Sequence, residues 1–180
     1  MHHMDVMPGK SMKKIQQPEI ARIKELGRSV CEMILSRNHV GRLAFSFEDH
    51  VDIEPISYVY KDGWIYGRTS EGTKTATIGL NKWVAFEVDE IDEAFKWRSV
   101  VVKGPFHVMQ QIASPRHDPT DTSLVEDPAF AQGVALLRSV FPETFDVSDP
   151  TPFRNTVFRI HLDEVTGREA SPVQKKKPKH

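Results

Sequence analysis

The stretch 68–75 has the side chains that an anion-binding loop needs. It follows a predicted strand and precedes a short helical pattern that runs to Leu80. Its two cations and four hydroxyls are those of Arg68, Lys74, Thr69, Ser70, Thr73 and Thr75. Gly72 permits a positive φ and a close approach of the backbone to a ligand. A helix that begins near Thr73 would direct free N–H groups to the same point, which predicts a phosphate site, although a polar loop with a helix N-cap fits the same residues.

A second candidate lies at Pro55, in the middle of the predicted strand 51–60. Apolar residues alternate in one phase before this proline and in the opposite phase after it. Because proline cannot donate a hydrogen bond to a sheet ladder, the change of phase predicts a bulge or an unpaired edge. At either one, a ligand can meet free backbone groups.

The elements that must position these residues are mostly strands. Twofold alternation and turn signals predict six of them, at 41–47, 51–60, 64–68, 83–88, 97–109 and 156–162. Two helical stretches precede the first strand, and Ser29 with Glu32 forms a capping box for the second. A further helix begins at the N-cap Asp127 and ends before Pro142. The fold class is therefore mainly β (α+β), an antiparallel barrel or sandwich with flanking helices.

Length and charge limit the classes of function. The chain has 180 residues, with 24 Lys+Arg against 25 Asp+Glu, and so lacks the basic field typical of a nucleic-acid binder. No apolar run approaches the roughly 18 residues of a membrane span. We expect a flexible segment at 1–17, one domain at 18–170 and a basic tail at 171–180, in a cytoplasmic protein with no nucleic-acid or membrane partner.

Common catalytic motifs are absent from the sequence. It has no Walker loop, no G-x-G-x-x-G, no H-E-x-x-H and no G-x-S-x-G. The eight histidines lack the close helical pairing that zinc sites often use, so no metal site is predicted. The acidic residues between Glu87 and Glu93 are interpreted as a solvated loop. No side chain stands out as a catalytic acid or base.

The order of the motifs resembles the FMN-binding split-barrel family of pyridoxamine 5'-phosphate oxidase, nearest the nitroimidazole-resistance proteins. The likeness runs from about Val30 to Gly167. It rests on Gly-Arg-Leu-Ala at 41–44, Pro-Ile-Ser-Tyr at 55–58, Gly-Thr-Lys at 72–74, Trp-Arg-Ser-Val-Val-Val-Lys-Gly at 97–104 and Thr-Gly-Arg-Glu-Ala at 166–170. The resemblance implies a six-stranded antiparallel split β-barrel.

The resemblance also implies a site. The residues that would line the isoalloxazine ring, partly through backbone groups, are Pro55, Ile56, Ser57 and Tyr58, with the ring of Tyr58 as the candidate for stacking. Those that would hold the 5'-phosphate are Thr69, Ser70, Gly72, Thr73 and Lys74. Arg68 would join them or be a surface arginine. Ser99 and Val101 would close the ring pocket. Family members are usually homodimers with cofactor sites at the interface, to which Phe153 and Arg154 are candidate contributors.

The activity implied by the resemblance is that of an FMN-dependent oxidoreductase acting on a small planar substrate, such as a nitroaromatic compound or a pyridoxine phosphate. Two departures stand out: Thr73-Lys74 replaces the Arg-Lys pair of the oxidases, and Arg68 occupies a position where the resistance subgroup often has histidine. The alternatives are a flavin-binding or sensing module without turnover, a deazaflavin protein, and a haem-binding barrel with His107 or His161 as the iron ligand.

Overall fold

The computed structural model describes residues 21–47, 49–70, 82–109, 112–113, 124–125 and 127–173. Its helices are α1 (Arg28–Arg37) and α2 (Pro128–Val140). Its strands are β1 (Ala21–Glu25), β2 (Val40–Phe47), β3 (His50–Lys61), β4 (Trp64–Thr69), β5 (Trp83–Glu93), β6 (Lys96–Met109), β7 (Ile112–Ala113), β8 (Leu124–Val125), β9 (Thr156–His161) and β10 (Glu164–Pro172). The predicted segment 1–17, and the predicted tail beyond residue 173, lie outside the described residues.

Six antiparallel strands close into a barrel. The order is β6-β5-β2-β3-β4-β9, and β9 pairs back onto β6. These are the six strands predicted from the sequence, so the split-barrel fold is confirmed. The chain adds β10 and β1 beyond β6, which extends the sheet outside the closed part. The barrel splits along β6, because the first part of that strand pairs with β10 and the last part with β9.

Every second residue of the strands points into the barrel, and these side chains form the core. Leu43, Phe86, Val100 and Ile160 are buried in it. The apolar face of α1, with Cys31, Ile34 and Leu35, packs against the same cluster. Helix α2 covers the outside of the barrel, where Leu137 packs with residues of β3, β4, β6 and β9. Helix α1 therefore packs against the inner core, and helix α2 packs against the outer face of the barrel.

The first predicted helical stretch is wrong, because the structure has strand β1 there, paired with β10. Lys24 of β1 forms an ion pair with Glu169 of β10 at 2.6 Å, and Arg98 of β6 contacts the same carboxylate. The pKa of Glu169 is lowered by these hydrogen bonds. This partner strand lies more than a hundred residues away in the sequence, so local periodicity could not reveal it.

The helix ends differ in how well they were predicted. Helix α1 has Gly27 as its N-cap and no side-chain cap bond, so the predicted Ser29 capping box is wrong. Helix α2 has the predicted cap, with the Asp127 carboxylate accepting from Ala129 N–H. Among the described residues, neither helix has the length and apolar character needed to cross a membrane.

Candidate functional site

The predicted ring segment lies at the split edge of β3. Its pairing with β2 runs without a register shift through Arg42 and Pro55, so the predicted bulge is absent. Pairing of β3 with β4 begins only at Tyr58 and Gly67. The part of β3 before Tyr58 therefore has an edge that no described strand pairs with, which agrees with the predicted unpaired edge. Tyr58 N–H donates to His39 on the β2 side, so alternation places the Pro55 carbonyl on the open side. Proline fits this position because it has no N–H to leave unpaired.

The side chains of the ring segment alternate between solvent and core. Pro55 and Ser57 are exposed, whereas Ile56 and Tyr58 are buried. The Tyr58 side chain has 0% exposure, its hydroxyl donates to the Leu35 carbonyl at 2.9 Å, and burial raises its pKa. The prediction that its ring stacks on a bound ligand is therefore wrong, because the strand turns that ring into the barrel.

Replacing Tyr58 with phenylalanine tests this core role. Tyr58→Phe leaves the Leu35 carbonyl without its buried donor, so we expect a loss of about 1–2 kcal/mol in the free energy of unfolding. Urea denaturation would measure it. Binding of added flavin should be unchanged, whereas a stacking residue would lose affinity with little loss of stability.

Arg68 lies beside Ser57, one register step beyond the Tyr58–Gly67 pair. Its guanidinium donates to the Asp149 carboxylate at 2.6 and 3.1 Å and to the Thr151 hydroxyl at 3.1 Å. The side chain of Arg68 is only 11% exposed, so the surface interpretation is wrong. Its described hydrogen bonds all go to the segment 141–154, which we call the cap loop. They give no support to the predicted contact of Arg68 with a phosphate.

Asp149 organises the cap loop, and the sequence analysis missed it. Its carboxylate accepts from the backbone N–H groups of Phe145 and Thr151, both at 2.8 Å, as well as from Arg68. The Arg68 hydrogen bond is the main cause that holds the pKa of Asp149 well below its usual range. Phe145 has a positive φ of 59°, a conformation that these bonds stabilise. The Asp-Pro-Thr sequence at 149–151 is a turn signal, but it does not predict the arginine partner.

The predicted phosphate residues are only partly described. Thr69 is buried at the end of β4, opposite Thr156 of β9, and Ser70 follows it, half-buried. Gly72, Thr73 and Lys74 lie outside the described residues. The structure therefore gives the point where the chain enters the predicted loop, directly after Arg68, and the phosphate contacts stay a prediction.

Ser99 and Val101 line a different part of the surface. Together with Trp97, Thr166 and Arg168 they border an open hollow of about 540 Å³ on the outer face of β6 and β10. Strand register places Pro55, Arg42, Glu87 and Val101 in one row across β3, β2, β5 and β6. Three strand spacings separate the ends of that row by about 14 Å. One chain therefore does not bring Ser99 and Val101 against the ring segment.

Charged side chains occupy the row between these two groups. Arg42 forms ion pairs with Glu87 at 3.0 Å and Asp89 at 2.9 Å, and the Ser99 hydroxyl donates to Glu87 at 2.8 Å. The acidic residues interpreted as a loop thus lie on strand β5, which corrects that prediction. Ion pairs are formed by Glu87, Asp89, Glu90 and Asp92. Within the described ranges, no three His, Cys, Asp or Glu residues are placed to hold a metal ion.

The two histidines named for a haem alternative flank one tryptophan. The rings of His107 and His161 meet Trp64 edge-on, with centroids 5.8 and 4.6 Å away. His161 Nδ1 contacts the Asp163 carboxylate, and the Arg159 guanidinium lies over the Trp64 ring. Burial and the charge of Arg159 lower the pKa of His107. This cluster lies on β4, β6 and β9, away from the ring segment.

A family model described as pyridoxamine 5'-phosphate oxidase matches residues 27–169. The chain belongs to this family. The match runs from the N-cap of α1 into β10 and so includes the entire barrel, with both the predicted ring segment and the predicted phosphate residues.

Individual proteins are similar to most of this chain. An uncharacterised protein of Rhizobium meliloti strain 1021 is 25% identical over 149 residues, 82% of this chain and 95% of the relative. A crystal structure described as a FAD-binding protein from Mesorhizobium loti is 25% identical, with a TM-score of 0.64 over 83% of this chain and 99% of that one. A candidate 5-nitroimidazole antibiotic resistance protein from Bacteroides thetaiotaomicron is 15% identical, with a TM-score of 0.59 over 86% and 91% of the two chains; it shares the fold.

Proposed function

We propose that this chain is an FMN-dependent oxidoreductase that acts on a small planar substrate. The observation that carries the proposal is the open edge of β3 at Pro55, beside the end of β4, from which the chain continues to the Gly-Thr-Lys sequence at 72–74. Membership of the oxidase family and the likeness to a FAD-binding protein support a flavin at this place. FMN and FAD share the ring and the first phosphate, so both fit the same two segments. When bound, the flavin supplies hydride or electron transfer.

The residues of the chain bind and orient the ring. The Pro55 carbonyl lies at an edge that no described strand pairs with and would accept from a polar ring edge, and Ser57 lies on the same outer face. Beyond Thr69, the loop with Lys74 would hold the 5'-phosphate through charge and N–H groups. The ring would lie on the outer face of β3, since Ile56 and Tyr58 fill the inner one.

The same outer face is suited to a second copy of the chain. Val51 and Ile53, the apolar residues before Pro55, are 68% and 65% exposed on it, and Val40 lies beside Ser57. Large apolar side chains gathered on one face are typical of a protein interface. A second copy would also supply Ser99 and Val101, which one chain holds about 14 Å from its own ring segment. The site we propose is therefore shared within a homodimer.

A lysine at position 53 should separate the two copies. Ile53→Lys would place an unpaired ammonium in the proposed interface, so we expect the dissociation constant of the dimer to rise roughly tenfold or more. Sedimentation velocity over a concentration series measures it. Ile23→Lys, at an equally exposed position on β1, is the matched control. A wild-type monomer, or equal effects of the two variants, would contradict the shared site.

The cofactor itself gives the direct test of the proposed function. The purified protein should show a flavin spectrum in visible light, and denaturation should release FMN, identified by chromatography and mass. Lys74→Ala should weaken FMN affinity by roughly tenfold through the lost charge, whereas Lys61→Ala, on the exposed end of β3, should not. Haem, deazaflavin, or a protein that takes up no FMN would overturn the assignment.

Turnover needs its own measurement. The flavin band of the loaded protein should bleach on addition of NAD(P)H and return when a nitroaromatic acceptor is added. A bound flavin that neither reagent affects would favour the binding or sensing module over the oxidoreductase.

A further inference from the structure

A small cavity lies between the ring segment and the cap loop. Its volume is about 150 Å³. Ser57 of β3 and Arg68 of β4 form one wall, and Leu137 and Phe141, at the end of α2, form an apolar wall. The cap loop closes the remaining side. The cavity thus adjoins the outer face on which the flavin ring is proposed to lie.

One buried side chain of the cavity wall has no hydrogen-bond partner for its hydroxyl. Thr144, one of its lining residues, is 2% exposed, and its buried hydroxyl has no partner among the described residues. A buried polar group without a partner is rare and costly in a folded protein. Less than 1 Å² of this hydroxyl oxygen is accessible, so it lies behind the cavity wall and does not contact a ligand in the cavity.

The positive charge of the cavity wall is only partly balanced by carboxylates. Asp149 balances Arg68, but Arg154, a half-buried residue also in the wall, has no carboxylate partner within 4 Å in the described part of the chain. Glu143 lines the exposed rim and forms no ion pair with Arg154. A small anion would pair with Arg154 and accept from the hydroxyl groups of the wall.

The size and the apolar wall narrow the choice of anion. A cavity of about 150 Å³ in another protein holds a single benzene ring. Leu137 and Phe141 offer such a ring an apolar surface, while the polar groups lie on the other walls.

We propose that this cavity binds a small aromatic carboxylate, with the carboxylate on Arg154 and the ring against Leu137 and Phe141. Its role as the substrate position rests on the proposed function, because Ser57 belongs to both the cavity and the ring segment. Binding itself does not depend on that function.

Benzoate is the probe for this site. Calorimetric titration of the purified protein should show one benzoate site per chain and much weaker binding of benzamide, its uncharged analogue. Arg154→Gln should raise the benzoate dissociation constant at least tenfold, with partial recovery in Arg154→Lys. Thr144→Val should leave benzoate affinity unchanged and raise the melting temperature of the ligand-free protein, because it removes an unsatisfied hydroxyl that does not face the cavity. Arg22→Gln, on exposed β1, should leave benzoate affinity unchanged.

The outcomes separate this proposal from the flavin assignment. No saturable binding at millimolar benzoate, or equal affinity in Arg154→Gln and the wild type, would overturn the carboxylate site. Displacement of benzoate by added FMN would also overturn it, because the cavity would then belong to the flavin. Arg154-dependent benzoate binding in a protein that takes up no flavin would support the site and overturn the proposed function instead.

Discussion

A Gly104→Ala variant is expected to lose about 3 kcal/mol or more of its free energy of unfolding. A methyl group at this position would lie 3.0 Å from the carbonyl carbon of His161 and closer still to the carbonyl oxygen. Both atoms are backbone, so no side-chain rotation can relieve the overlap. Chemical denaturation followed by circular dichroism measures the loss, and a low soluble yield would be its first sign.

The overlap arises where the barrel splits. Gly104 is the residue of β6 at which pairing passes from β10 to β9, and the chain that joins β9 to β10 crosses directly over it. Gly27→Ala is the matched control, since no atom lies within 4 Å of the added methyl group and its φ is ordinary. A loss below about 1 kcal/mol in Gly104→Ala would mean that the crossing chain can move aside.

An Asp149→Asn variant is expected to lose about 3–5 kcal/mol at neutral pH. The change leaves the guanidinium of Arg68, only 11% exposed, without its counter-charge in a poorly solvated place. It also weakens the acceptor of the Phe145 and Thr151 N–H groups that shape the cap loop. Asp92→Asn, which breaks an exposed pair with Lys96, should cost far less, because water screens that pair. Similar losses in the two variants would contradict the structural role of Asp149.

The same ion pair predicts a dependence of stability on pH. Because folding lowers the pKa of Asp149, the unfolded chain takes up a proton first as the solution becomes acid. The stabilisation is complete above the unfolded pKa of about 3.9 and is lost progressively as pH falls below it. The free energy of unfolding should therefore fall more steeply in acid for the wild type than for Asp149→Asn. Equal slopes of the free energy of unfolding against pH, in acid, for the two proteins would contradict this role of Asp149.

The sequence by itself determined the six barrel strands and α2, because twofold and helical periodicity are local signals that burial of one face imposes. It also placed a candidate ligand-binding edge at Pro55, since a proline inside a strand restricts what can pair beside it, and the family resemblance assigned the flavin ring to that edge. Its motifs in order predicted the family, which the match over 27–169 confirmed.

Only the tertiary structure decided which faces and partners these elements have. The change of phase at Pro55 predicted a bulge or an edge, and the structure shows the edge, with Val51 and Ile53 exposed on the outer face of a regular ladder. Periodicity identifies the two faces of a strand, but it does not reveal when apolar residues lie on the outer face as well as on the inner one.

Pairings between distant segments were also beyond the sequence. Arg68 meets Asp149 across 81 residues, and β1 becomes a strand because the edge of β10 is free to pair with it. In both cases an unpaired group gains its partner only after the barrel has brought separate segments together. Such a contact forms only in the folded protein, so the local residue pattern of either segment does not predict it.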